Sequence, residues 1–193
     1  MLHMAISFKT KLIEINTWKI IRLPEEASAK LPSRGMTMVS GTLNGVPFKT
    51  VLEPDGNYMS SKKPSHWFQP ATELLKKAGV KVGDQVTVSL EVTKEWIEPE
   101  IPDDVAQALA KSPKAQELWN DLTPLAHWDW IRWIRAVKTT ETRQKHIDVM
   151  LDKLNKGMRR PCCFNRSLCS EPHVSHNWVL IDPDQASKTN LLH

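Results

Sequence analysis

Short runs in which apolar and polar residues alternate dominate the first half of the chain. They cover Phe8 to Ile15, Trp18 to Leu23, Met36 to Leu43, Val46 to Leu52 and Gln85 to Val92, and each is long enough for one β-strand. The last run is the sharpest. Val86, Val88, Leu90 and Val92 share one face, and Gln85, Thr87, Ser89 and Glu91 share the other, as in a strand with one buried side. Asn44-Gly45 separates the third run from the fourth. This dipeptide tolerates the two positive φ angles of a type I′ turn, so these two strands are predicted to form a hairpin. Pro24 to Leu31 and Ala71 to Ala78 read as short helices, the second closed by Gly79 after Lys76 and Lys77. Asn57 to Ser65 is polar and leads into the apolar His66-Trp67-Phe68, which marks a surface loop and a candidate pocket rim.

From Trp96 the period changes. Pro99 and Pro102 interrupt any strand, and Ser112-Pro113 and Thr123-Pro124 each set an N-cap residue before proline at the first helical position. Four helices are predicted, over Pro102 to Ala110, Pro113 to Leu122, Pro124 to Ala136 and Glu141 to Lys156. The fourth carries Ile147, Met150, Leu151 and Leu154 on one stripe and stops at Gly157. Beyond Gly157 periodicity is lost, and residues from 182 to 193 read as a frayed terminus. The chain thus divides into a β-rich domain with short helical inserts over residues 1–97, a helical domain over 98–181 and a flexible tail over 182–193. This is an α+β organisation.

Composition narrows the setting. The chain has 193 residues, 40% of them hydrophobic, which is enough for a packed core. Residues 1–11 lack the apolar core of a signal peptide, and no apolar run approaches the roughly 18 residues of a membrane span, so we expect a cytoplasmic protein. Three cysteines, Cys162, Cys163 and Cys169, are bunched and odd in number, which suits a reducing compartment rather than a disulfide framework. With His173 and His176 they could form a metal or redox site. Adjacent cysteines direct their side chains apart, however, so no metal is assigned.

The densest chemistry lies around the third helix of the second half, where Trp119, Trp128, Trp130 and Trp133 accompany Arg132 and Arg135. Helical spacing distributes these rings over two faces, so one core cannot take them all. Two readings follow. The rings pack the domain while Arg132 bridges to Asp129, or Trp and Arg form a recognition surface, with forked guanidinium donors for a carboxylate or phosphate. Residues 132–166 are strongly basic and residues 98–129 acidic; the blocks either neutralise each other or leave a basic face for nucleic acid. No nucleophile elbow, zinc-protease motif, Walker loop or dinucleotide-binding motif occurs, and His66, His127 and His146 have no nucleophile at readable spacing. No catalytic residue and no cofactor are assigned.

Leu122-Thr123-Pro124, Trp130-Ile131-Arg132-Trp133-Ile134, Glu141-Thr142-Arg143 and Gly157-Met158-Arg159-Arg160-Pro161-Cys162 together resemble the bacteriocin-protection, YdeI/OmpD-associated family. Phe8 to Ile15, Gly41 to Phe48 and Val82-Gly83-Asp84 resemble the uncharacterised small β-barrel domain fused in front of it. The resemblance implies a bacterial protein, a double-split β-barrel for the first domain and a link to stress or antimicrobial resistance. It implies no reaction. The reading we carry forward is a non-enzymatic binding protein that recognises an anionic small molecule, peptide or protein through Trp130, Arg132, Trp133, Arg135, Arg159 and Arg160. The alternative is a nucleic-acid-binding regulator using residues 132–166.

Overall fold

A computed structural model describes residues 5–56, 65–162 and 165–183. The polar loop expected as a pocket rim, apart from Ser65, lies outside these residues, as do Cys163 and residues 184–193 of the expected tail. The chain forms two compact units. One comprises Met1–Glu95, Arg166–Cys169 and His173–His193, and the other Trp96–Asn165 with Ser170–Pro172. Residues 166–169 and 173–183 thus belong with the strands rather than with the helices before them.

The first unit is a curled antiparallel sheet. Its strands are β1 (Ile6–Lys11), β2 (Ile13–Ile15), β3 (Trp18–Arg22), β4 (Thr37–Leu43), β5 (Val46–Asp55), β6 (Ser65–Phe68) and β7 (Gln85–Val92), in the order β1-β7-β4-β5-β6-β3-β2. The β4–β5 hairpin turns at Asn44-Gly45 with φ of 47° and 82°, and Leu43 pairs with Val46 as a two-residue turn requires. Val86, Val88 and Leu90 point into the core and Thr87 and Glu91 outward, as the alternation predicts. Helices α1 (Glu25–Ala29) and α2 (Thr72–Ala78) fall at the two expected positions, and α2 ends on Gly79 at φ 65°.

The closed barrel expected for this half is not formed. Phe8 to Ile15 reads as one strand, yet the chain breaks at Leu12. This residue is wholly buried, and its amide and carbonyl bond to Asp84 and Gly83 at 3.0 and 2.8 Å. Residues before Leu12 pair with β7 and residues after it with β3, so the first and last strands of the sheet adjoin in sequence. No ladder joins them among the described residues, and the result is an open half-barrel.

Two apolar clusters fill this unit. Leu12, Ile21, Leu43, Leu52, Phe68, Val88 and Leu90 belong to the larger. The smaller gathers Ile15, Ile20 and Trp67 from the sheet with Cys169, Val174 and Leu180 from the last described residues. Those residues include a hairpin of β8 (Ser175–His176) and β9 (Val179–Leu180). Asp55, almost wholly buried, fixes the hairpin: one carboxylate oxygen accepts the Leu180 amide at 2.9 Å, and the other pairs with Arg22 at 2.8 Å. Gly56 lets the returning backbone approach, because a Cβ there would lie 2.6 Å from the Ser167 carbonyl oxygen and 2.7 Å from the Leu168 Cα.

The second unit is helical, with α3 (Asp103–Ala110), α4 (Pro113–Asp121), α5 (Pro124–Arg135) and α6 (Thr140–Asn155). Val105, Leu109, Trp119, Trp130, Ile134, Ile147, Met150 and Leu154 form its core. Among the described residues no helix is long and apolar enough to cross a membrane.

Candidate functional site

Helix α5 carries the chemistry. Thr123 caps its start by accepting the Ala126 amide at 3.3 Å, Pro124 opens its first turn, and Arg132 and Arg135 occupy its last turn, where the helix dipole favours cations. One side of α5 turns Trp130, Ile131 and Ile134 into the helical core. Asp129 and Arg132, three residues apart and therefore neighbours along the helix, are both fully buried as well. A buried ion is costly unless its charge and hydrogen-bonding capacity are met, so these residues need partners inside the unit.

The partners come from the aperiodic stretch after Gly157. Arg132 Nε donates to Ser170 Oγ at 3.2 Å, Arg135 Nε lies 3.5 Å from Glu171 Oε2, and Arg160 Nε lies 3.8 Å from Asp129 Oδ2. The cluster combines three guanidinium groups with two carboxylates. Both carboxylates are shut away, with side-chain exposures of 1% for Asp129 and 6% for Glu171, whereas Arg135 retains 20% and Arg160 43%. The solvent-facing groups of these pairs are therefore cationic. Such a site is suited to a carboxylate or another oxyanion, which guanidinium binds through paired N–H donors.

The six residues singled out from the sequence separate in the structure. Arg132, Arg135 and Arg160 each take a polar partner in this set, Ser170, Glu171 and Asp129 respectively. Trp130 lies wholly in the core and donates its indole N–H to the Arg159 carbonyl at 3.0 Å. The Arg159 guanidinium turns elsewhere, binding the Asp121 carboxylate at 2.9 Å and its backbone carbonyl at 2.7 Å. Trp133 sits edge-on to Trp130 and stacks on His146 with centroids 3.9 Å apart. Asp129, Ser170 and Glu171 join the site without having been singled out as binding residues. Only Asp129 had a local signal, its three-residue spacing from Arg132.

Charge pairing runs through the whole unit. Arg143 binds Asp104 at 2.6 and 3.0 Å, and this hydrogen-bonded contact pushes the Asp104 carboxyl below its usual range and the Arg143 guanidinium further up. Lys145 pairs with Glu141 and Lys156 with Asp152, one helical turn apart. Arg143–Asp104 and Arg159–Asp121 tie the basic stretch to the acidic one, so the two blocks neutralise each other in part within the unit.

The histidines are held in place. His127 stacks on Trp119, with one ring nitrogen 2.8 Å from the Trp119 carbonyl and the other 2.7 Å from Glu98. In the sheet unit, His66 Nε2 donates to the Gly35 carbonyl at 2.8 Å, which leaves Nδ1 of the neutral ring to accept the Ser28 hydroxyl at 2.6 Å. Burial, aided by the nearby Arg34 charge, lowers His66 to about 4. Ser28 and His66 both have zero exposure, so this serine–histidine pair belongs to the packing. Among the described residues no group of three or more His, Cys, Asp or Glu side chains is placed to hold a metal. Cys162 is exposed in the helical unit, and Cys169 is buried in the sheet unit.

Two family models match the chain, one for each unit. Residues 98–157 match the family described as bacteriocin-protection, YdeI or OmpD-associated. The helical unit is a YdeI/OmpD-associated domain. Residues 8–90 match a domain of unknown function, DUF1905, so the sheet unit precedes the YdeI/OmpD-associated domain in the order its sequence implies. No curated protein matches the chain. Arg132 and Arg135 fall inside the YdeI/OmpD-associated match, whereas Arg160, Ser170 and Glu171 lie beyond it.

Proposed function

We propose that the chain is a non-enzymatic cytoplasmic binding protein, acting in bacteriocin protection or a related stress response. In this reading its YdeI/OmpD-associated domain holds a carboxylate of an acidic peptide or protein partner at Arg135 and Arg160. The observation that carries it is the asymmetry of the cluster: the carboxylates Asp129 and Glu171 are enclosed while two of the three guanidiniums keep contact with solvent. Arg132, Ser170 and the enclosed carboxylates orient Arg135 and Arg160, whose solvent-facing N–H donors receive the arriving carboxylate. Trp130 and Trp133 stiffen the helix beneath. A nucleic-acid role for residues 132–166 draws less support, because four of the cations outside the cluster, Arg143, Lys145, Lys156 and Arg159, sit against acids of the same unit.

The test is a fluorescence-polarisation titration of the full chain with a labelled oligoglutamate peptide and, separately, labelled duplex DNA at low salt. Oligoglutamate binding that disappears in Arg135→Ala/Arg160→Ala supports the reading. Binding of DNA alone transfers the function to the regulator alternative, and oligoglutamate binding unchanged in the double variant overturns the site.

A further inference from the structure

The chain leaves α6 along a fixed path. Gly157, at φ 83°, donates its amide to the Leu154 carbonyl and Met158 donates to the Lys153 carbonyl, both at 2.9 Å, so the helix ends in a Schellman turn. Arg159 follows and is held twice. Its carbonyl accepts the indole N–H of the buried Trp130 at 3.0 Å, which ties the backbone to α5. Its guanidinium reaches the end of α4, where Nη1 donates to the Asp121 carboxylate at 2.9 Å and Nη2 to the Asp121 carbonyl at 2.7 Å. That carbonyl is among the last of α4, which have no partner inside the helix, and the helix dipole favours a cation there. One arginine thus joins α4, α5 and the exit from α6.

The next residue is Arg160, one of the two solvent-facing guanidiniums of the proposed carboxylate site. Its side chain is 43% exposed, and its Nε lies 3.8 Å from Asp129 Oδ2, an ion-pair distance beyond the reach of a hydrogen bond. That contact leaves the guanidinium free to turn. The direction of Arg160 therefore depends on the backbone that carries it, and that backbone is the one fixed at Arg159.

We infer that Asp121 is a positioning residue for anion binding: by holding Arg159 it fixes the backbone from which Arg160 receives the incoming carboxylate. This role rests on the carboxylate-binding reading proposed above. An arginine ordered in advance gives up less freedom when the anion arrives, which raises affinity without a new contact. Simple electrostatics gives the opposite sign for Asp121. Its carboxylate is 74% exposed and negative, so removing it leaves the neighbourhood of Arg159 and Arg160 more positive, which by itself tightens the binding of an anion.

Titration of the full chain with labelled oligoglutamate at low salt separates the two effects. Asp121→Ala removes the charge together with the carboxylate acceptor and should weaken binding about three- to tenfold, the range set by one long side chain left to be ordered on binding. Asp121→Asn removes the same charge but keeps an acceptor oxygen for Arg159, and should bind nearly as the unmutated chain does. Backbone NMR relaxation of the peptide-free chain should show the Arg160 amide losing order in Asp121→Ala and keeping it in Asp121→Asn. Equal or tighter binding by Asp121→Ala, or an Arg160 amide as ordered as before, overturns the inference while the carboxylate site stands. If the unmutated chain binds no oligoglutamate, or Arg135→Ala/Arg160→Ala leaves binding unchanged, the site itself is lost and the positioning role of Asp121 falls with it.

Discussion

Arg132 Nε donates to Ser170 Oγ at 3.2 Å with the Arg132 side chain wholly removed from solvent, a placement that guanidinium tolerates only inside a built polar network. Arg132→Ala should cost about 3–5 kcal/mol in urea unfolding, since it breaks that network and leaves a cavity. Arg159→Ala, which removes a guanidinium held on the surface by Asp121, should cost less than about 1 kcal/mol. Comparable losses from the two substitutions would contradict the buried-cluster description.

The His66 ring gives the protein a pH dependence of known sign. Its value in the folded chain is about 4, against 6.5 when unfolded, so between these the unfolded chain holds more protons. The associated stability is fully present above pH 6.5 and is lost as pH falls towards 4, to a total of about 3 kcal/mol. Chemical denaturation of the full chain at stepped pH should show this decline, and His66→Gln should flatten it over the same window.

Gly56→Ala should destabilise the sheet unit by about 1–3 kcal/mol, because the added methyl meets backbone atoms of Ser167 and Leu168 that cannot rotate away. Thermal unfolding measures the loss. A neutral alanine would mean that the returning segment does not lie against this glycine.

Much of the architecture is written in local pattern. Valine alternation in β7, Asn44-Gly45, and proline at the helix starts each bring the strand, turn or helix they predict, because neighbouring residues decide those features. β6 escaped for the opposite reason. All four of its residues are buried, so Ser65 to Phe68 shows no alternation, and only its partners in β3 and β5 make it a strand. The break at Leu12 is equally tertiary, since Gly83 and Asp84 impose it from another part of the chain. At the site, Trp and Arg density marked α5, yet Ser170 and Glu171 lie in a stretch without period, and spacing carries no sign that they reach Arg132 and Arg135.

Asp55→Ala should remove the acceptor of the Leu180 amide and the partner of Arg22 together, at a cost of about 3 kcal/mol. Hydrogen exchange sharpens the test: the Leu180 amide should lose protection in Asp55→Ala and keep most of it in Asp55→Asn, which retains an acceptor oxygen.

The Arg143–Asp104 pair is partly exposed and should contribute about 0.3–1 kcal/mol in a double-mutant cycle. Because Asp104 is held below its usual range, this contribution should be present at neutral pH and fade as the solution is acidified through the carboxylate region. Repeating the cycle at successively lower pH should show the coupling energy shrinking once the solution is more acidic than the ordinary carboxylate range.

The interleaving of the two units also orders events during synthesis. Ile15, Ile20 and Trp67 leave the ribosome long before Val174 and Leu180, and the whole helical unit is made between them. The nascent sheet must wait with one of its apolar clusters uncovered, so chain elongation rather than strand pairing sets when this part of the protein can finish folding.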